Sequence, residues 1–119
     1  MSDTNDFRPL SATERAVLDR LMEVEFPGRE EIRKQLEECL VKTIDENGSL
    51  RFRVKSEVVA PVKKRIPVEA EFTDSDGVMA HVLLHVLNGF VRELEVYKDD
   101  STRLIDKLDA TKLRVIYLD

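Results

Sequence analysis

The nine residues "HVLLHVLNG" (81–89) decide how this chain is read. As a helix, they would set His81 and His85 one turn apart on one face, within reach of a single metal ion. As a strand, they would share a face yet stand about 13 Å apart, at roughly 3.3 Å per residue. Asn88-Gly89 selects the strand, because Asn-Gly beside alternating apolar residues is the strongest short-range hairpin signal. Metal–nitrogen bonds are only about 2 Å long, so two histidines so spaced do not share an ion. The stretch also lacks the glutamate that follows the first histidine in helical H-E-x-x-H zinc sites.

Working outward, two similar turns precede this one, "ENG" (46–48) and "SDG" (75–77). Closing each as a three-residue loop sets apolar residues opposite one another. Val86 then faces Phe90, Val82 faces Leu94 and Ala80 faces Val96. Asp74 faces Val78, with Phe72–Ala80, Ala70–Val82 and Val68–Leu84 following. Ile44 faces Leu50, and Leu40 faces Val54. A plain two-residue loop at 87–90 would put Val82 against Glu95 and Leu84 against Glu93, because a one-residue slip turns every side chain over. The expected core face is Ile44, Leu50, Phe52, Val54, Ile66, Val68, Ala70, Phe72, Val82, Leu84, Val86, Phe90, Leu94 and Val96.

Upstream the period is helical. "SATE" (11–14) is a capping box, and Val17, Leu18, Leu21 and Met22 follow at helical spacing. "FPG" (26–28) ends that helix. A second begins near Arg29, with Glu30 and Glu31 in its first turn and an Ile32/Leu36 stripe. The expectation is one α+β domain over 1–119. Two N-terminal helices (about 11–37) pack on one face of a largely antiparallel sheet of five or six strands (about 40–118), with 1–9 a flexible arm. "LRVIYL" (113–118) is a final strand whose place in the sheet the sequence does not fix. The path of 55–65, with Pro61 and "KKR" (63–65), is equally open.

The same register assigns the outer face. Glu71, His81 and Glu95 form one row, Glu69, Leu83 and Glu93 the next, then Pro67, His85 and Val91, with Thr73, Met79 and Tyr97 on the other side. Glu71, His81 and Glu95 are the one trio that could centre a metal-dependent or small-molecule enzyme. A polar row that discourages register slips explains them more simply. Leu83, Val91, Met79 and Tyr97 form an apolar centre with an acidic surround, suited to a protein partner or a homodimer. The candidate binding residues are therefore Glu69, Glu71, His81, Leu83, Val91, Glu93, Glu95 and Tyr97.

Composition narrows the function classes. The 119 residues carry 24 acidic against 19 basic side chains, a net charge of −5, which argues against nucleic acid as a partner. No apolar run approaches the roughly 20 residues a membrane span requires. The single cysteine, Cys39, fits a reducing cytoplasm and reads as a buried thiol. There is no phosphate loop, nucleophile elbow or Cys cluster, so no catalytic residue, metal or cofactor is assigned.

The segments "RPLSATER", "FPGRE", "DENGSL", "IPVEAEFTDSDG", "HVLLHVLNG" and "ELEVYKDD" occur in that order. Together they resemble a group of small bacterial domains of unknown function over residues 8 to 118, with Ile66 where valine is expected. The resemblance implies a bacterial, cytoplasmic, single-domain protein. The leading expectation is a non-enzymatic interaction module that meets a basic partner through its acidic outer face or a sheet edge. An immunity-type protein is one concrete version.

Overall fold

The computed structural model describes residues 6–117. Two helices lead, α1 (Ala12–Leu21) and α2 (Arg29–Glu37). Six strands follow: β1 (Cys39–Thr43), β2 (Leu50–Val54), β3 (Val68–Thr73), β4 (Met79–Leu87), β5 (Phe90–Lys98) and β6 (Arg114–Ile116). They form one antiparallel sheet in the order β1-β2-β5-β4-β3-β6. No described helix is long and apolar enough to cross a membrane.

The capping box at α1 is complete. Ser11 Oγ accepts from the Glu14 N–H at 3.1 Å, and Glu14 Oε1 accepts from the Ser11 N–H at 2.9 Å. Arg8 grips the same carboxylate through both guanidinium nitrogens and exchanges two backbone bonds with Val41 at the β1 edge. Residues 1–5 of the arm expected to be flexible lie outside the described residues, as does Leu118 of the expected last strand. Buried side chains of both helices (Val17, Leu18, Leu21, Ile32, Leu36) share one apolar cluster with Val41, Leu50, Val82, Leu84 and Leu94. Cys39 belongs to that cluster, and burial pushes its thiol pKa up.

One of the three hairpins is as expected and two depart from it, each in its own way. At 74–78 the register is as read: Asp74 N–H donates to the Val78 carbonyl, and Phe72–Ala80, Ala70–Val82 and Val68–Leu84 are partners. At 87–90 the chain uses a two-residue connection instead. Leu87 faces Phe90, with Asn88 (φ 54°) and Gly89 (φ 84°) both at positive φ, the backbone such a connection demands. Beyond Val86–Val91 the register shifts, Arg92 is left without a partner, and His85 faces Glu93. The extra residue is a bulge that restores the apolar pairing, giving Leu84–Leu94 and Val82–Val96. Faces beyond the bulge are thus as expected, while partners move by two residues. Before it, Val91 is buried and Phe90 only partly so, the reverse of the expected assignment.

At 44–50 the slip is a single residue. Thr43 faces Leu50, Val41 faces Phe52 and Cys39 faces Val54. Asp45 Oδ1 accepts from the N–H groups of Asn47 and Ser49, and Ile44 N–H closes onto the Ser49 carbonyl. This carboxylate-stabilised turn takes in four residues, which turns Ile44 out of the core to 38% exposure. Ile66 is also only half-buried, whereas Pro67, expected outside, is buried.

β6 pairs antiparallel with β3, matching Glu71 with Arg114 and Glu69 with Ile116. The connection leading to it is held by two polar anchors, the buried Asp74 and the partly buried Asn47. Asp74 accepts the N–H groups of Ile105 and Asp106, and Asn47 Oδ1 accepts that of Leu104. Lys98, fully buried, bridges Asp74 at 2.9 Å and Asp76 at 2.6 Å.

Candidate functional site

Alternation along β3, β4 and β5 puts Glu69, Glu71, His81, Leu83, His85, Glu93, Glu95 and Tyr97 on one partly exposed face while their neighbours, apart from Arg92 at the bulge, are buried. Val91 does not belong to that set. It is 3% exposed, and its N–H donates to the buried Gln35 side chain, so the apolar patch expected of Leu83 with Val91 loses one member. Leu83, Met79 and Tyr97 remain.

The bulge changes who stands beside whom. His81 faces Glu71 on one side and Tyr97, not Glu95, on the other. Its ring stacks on Tyr97 at 4.9 Å between centroids, and Nε2 meets Asp99 Oδ1 at 2.6 Å. Glu95 faces Leu83 and reaches His85, whose Nε2 lies 2.8 Å from Glu95 Oε1. Glu71 pairs with Arg114. The expected trio of Glu71, His81 and Glu95 is therefore divided among three different partners.

A different trio comes together. Ligand atoms of His85, Glu93 and Glu95 lie within 4.8 Å of one another. The hydrogen bonds around His85 define its chemistry. Arg65 Nε can only donate, and it points at His85 Nδ1 at 3.2 Å, so Nδ1 accepts. The ring proton then sits on Nε2 and is given to Glu95. A metal-bound histidine needs the opposite arrangement, with its free nitrogen donating to a carboxylate or carbonyl. Both nitrogens are already engaged, and an arginine stands behind the ring. The donor set does not fit a metal, nor does it leave a free base for a nucleophile. Tyr97 is held in its protonated form: burial first, then the carboxylates of Glu95, Asp99 and Glu69, raise its pKa above the ordinary tyrosine value.

A cleft of about 680 Å³ lies elsewhere, between β2 and the β4–β5 turn. Pairing of β2 with β5 stops after Arg51–Glu93, although β2 runs on to Val54 and β5 begins at Phe90. Arg51, Arg53 and Lys55 line the opening at alternate positions, and the bulge residue Arg92 joins them. Phe7, Leu87 and Phe90 supply apolar wall. None of these cations was read as a site residue from the sequence. The alternation in "RFRVK" (51–55) carried the signal for three of them, whereas Arg92 depends on a bulge that the pattern alone does not reveal.

These features define a small α+β domain with a six-stranded antiparallel sheet, acidic across β3–β5 and basic along β2. The chain belongs to the family described as Domain of unknown function (DUF6984), whose model matches residues 7–108. That match takes in both helices and β1–β5 and stops short of β6. No curated protein and no solved structure matches the chain.

Proposed function

We propose that the chain is a non-enzymatic protein-interaction module whose acidic sheet face docks a basic protein surface. One observation carries this reading: Glu69, Glu71, Glu93 and Glu95 come from two separated strands, with Asp99 just beyond β5, around the partly exposed Leu83 and Tyr97. An apolar centre with a charged surround suits a protein partner, and clustered like charge speeds encounter with an oppositely charged surface. The chemistry of His85, with both ring nitrogens engaged, favours this over a metal-dependent enzyme.

Glu69 and Glu93 make no ion pair with any described residue, so their reversal removes charge from the face without breaking an internal bridge. A partner captured from the native host is titrated with wild-type protein and with the Glu69→Lys/Glu93→Lys variant. The expected result is an association rate lower by about tenfold or more, with a weaker dependence on salt. Unchanged association would show that the partner binds another surface.

A further inference from the structure

We propose that the cleft between β2 and the β4–β5 turn binds a nucleoside diphosphate or a closely similar ligand, with two or more phosphates attached to a flat ring. This does not rest on the interaction reading, since it uses different residues.

The charge argument comes first. The protein carries a net charge of −5, yet four cations, Arg51, Arg53, Lys55 and Arg92, converge on this cleft, with Glu57 in its lining and Glu93 across from Arg51 at its rim. None of the four makes an ion pair with a described residue, although the chain carries 24 acidic side chains in all. Arg53 lies over the Phe7 ring at 4.2 Å, which fixes its guanidinium beside the opening without neutralising it. Unneutralised cations kept together repel one another, an arrangement that an anionic occupant relieves.

Shape and lining narrow the ligand. A volume of about 680 Å³ lies in the range of small-molecule sites. Arginine side chains match phosphate oxygens with paired N–H donors. Arg51 and Arg53 alternate along β2 and project on one side at an interval of roughly 6.6 Å, with Lys55 just past the strand end, so the cations reach more than one phosphate. Leu87, 40% exposed, and Phe90, partly exposed, give an apolar wall against which a ring can pack. The bulge has a purpose in this scheme: it swings Arg92 to the cleft while keeping β5's apolar face inward.

Calorimetric titration of the full chain with ADP, pyrophosphate, adenosine, a single-stranded oligonucleotide and a glutamate-rich peptide tests the assignment. Saturable ADP binding is expected, several-fold tighter than pyrophosphate, with no binding of adenosine. Arg51→Gln/Arg92→Gln should weaken ADP by roughly tenfold or more, as charge-assisted hydrogen bonds are lost. Lys55→Gln/Arg92→Gln, which leaves the Arg53–Phe7 contact and the β2–β5 pairing in place, should weaken it in the same direction. Thermal melts confirm that each variant is folded. The proposal is overturned by no saturable ADP binding, by wild-type ADP affinity in both variants, or by tighter binding of the oligonucleotide or the peptide than of ADP.

Discussion

Asp74 shows how one side chain can hold several segments. Its carboxylate accepts the N–H of Ile105, works against the cost of its own burial, and meets the Lys98 ammonium and the N–H groups of Ser75 and Asp106. Together these hold its pKa far below the ordinary value of 3.8. Burial opposes the charge on Lys98, but its bonds to Asp76 and Asp74 outweigh that and raise its pKa. A depressed native pKa means that the unfolded chain binds the proton first. Asp74 therefore contributes its full stabilisation above pH 3.8 and loses it as pH falls toward the native value. Asp74→Asn should be less stable than wild type at pH 7, and the gap between their urea midpoints should narrow steadily below about pH 4. A constant gap from pH 7 to pH 2 would contradict the assignment.

At the scale of elements, turns decide more than strands do. Gly77 and Gly89 both hold positive φ, but their surroundings differ. A side-chain carbon at Gly77 would meet open space, whereas at Gly89 it would run into Val59 and Ala60 of the connection that crosses the β4–β5 turn. That connection is fastened there by Ala60 N–H to the Gly89 carbonyl, and by Gln35, which bonds the Val58 and Gly89 carbonyls and the Val91 N–H. Gly77→Ala should cost about 1–2 kcal/mol from backbone strain alone. Gly89→Ala should cost more, roughly 2–4 kcal/mol, because a displaced connection is added to the strain. Urea unfolding of the two variants gives the comparison, and equal losses would mean that the Val59 contact carries no weight.

For the molecule as a whole, the sheet order places the shortest strand, β6, on the edge of β3, outside the span that matches the family. Leu113, 4% exposed, anchors that strand, and its carbonyl accepts from Arg20 of α1. A chain ending at Asp109 loses this anchor and uncovers the β3 edge. The expected loss is about 2–4 kcal/mol from the missing leucine, with concentration-dependent self-association through the open edge. Urea unfolding and light scattering measure the two effects; a shortened chain that stays monomeric and equally stable would show that β6 is dispensable.

The alternation of Val68 to Phe72 and of Met79 to Leu87, together with Asp-Gly and Asn-Gly, is a local pattern. It was enough to establish an antiparallel α+β domain, the β3–β4 register and the face on which Glu69, Glu71, Glu93 and Glu95 lie. Such patterns are legible because side-chain direction along a strand depends only on parity. The Arg92 bulge, the four-residue turn at Asp45–Gly48 and the neighbours of His81 and His85 were not legible. Each depends on a partner distant in sequence or on which of two turn geometries suits the twist of the sheet. Parity assigned the histidines to a face. Only the tertiary structure gave His85 to Glu95 and Arg65, gave His81 to Asp99 and Tyr97, and opened a basic cleft where β2 and β5 part, because strand divergence and a one-residue bulge leave no periodic trace in the chain.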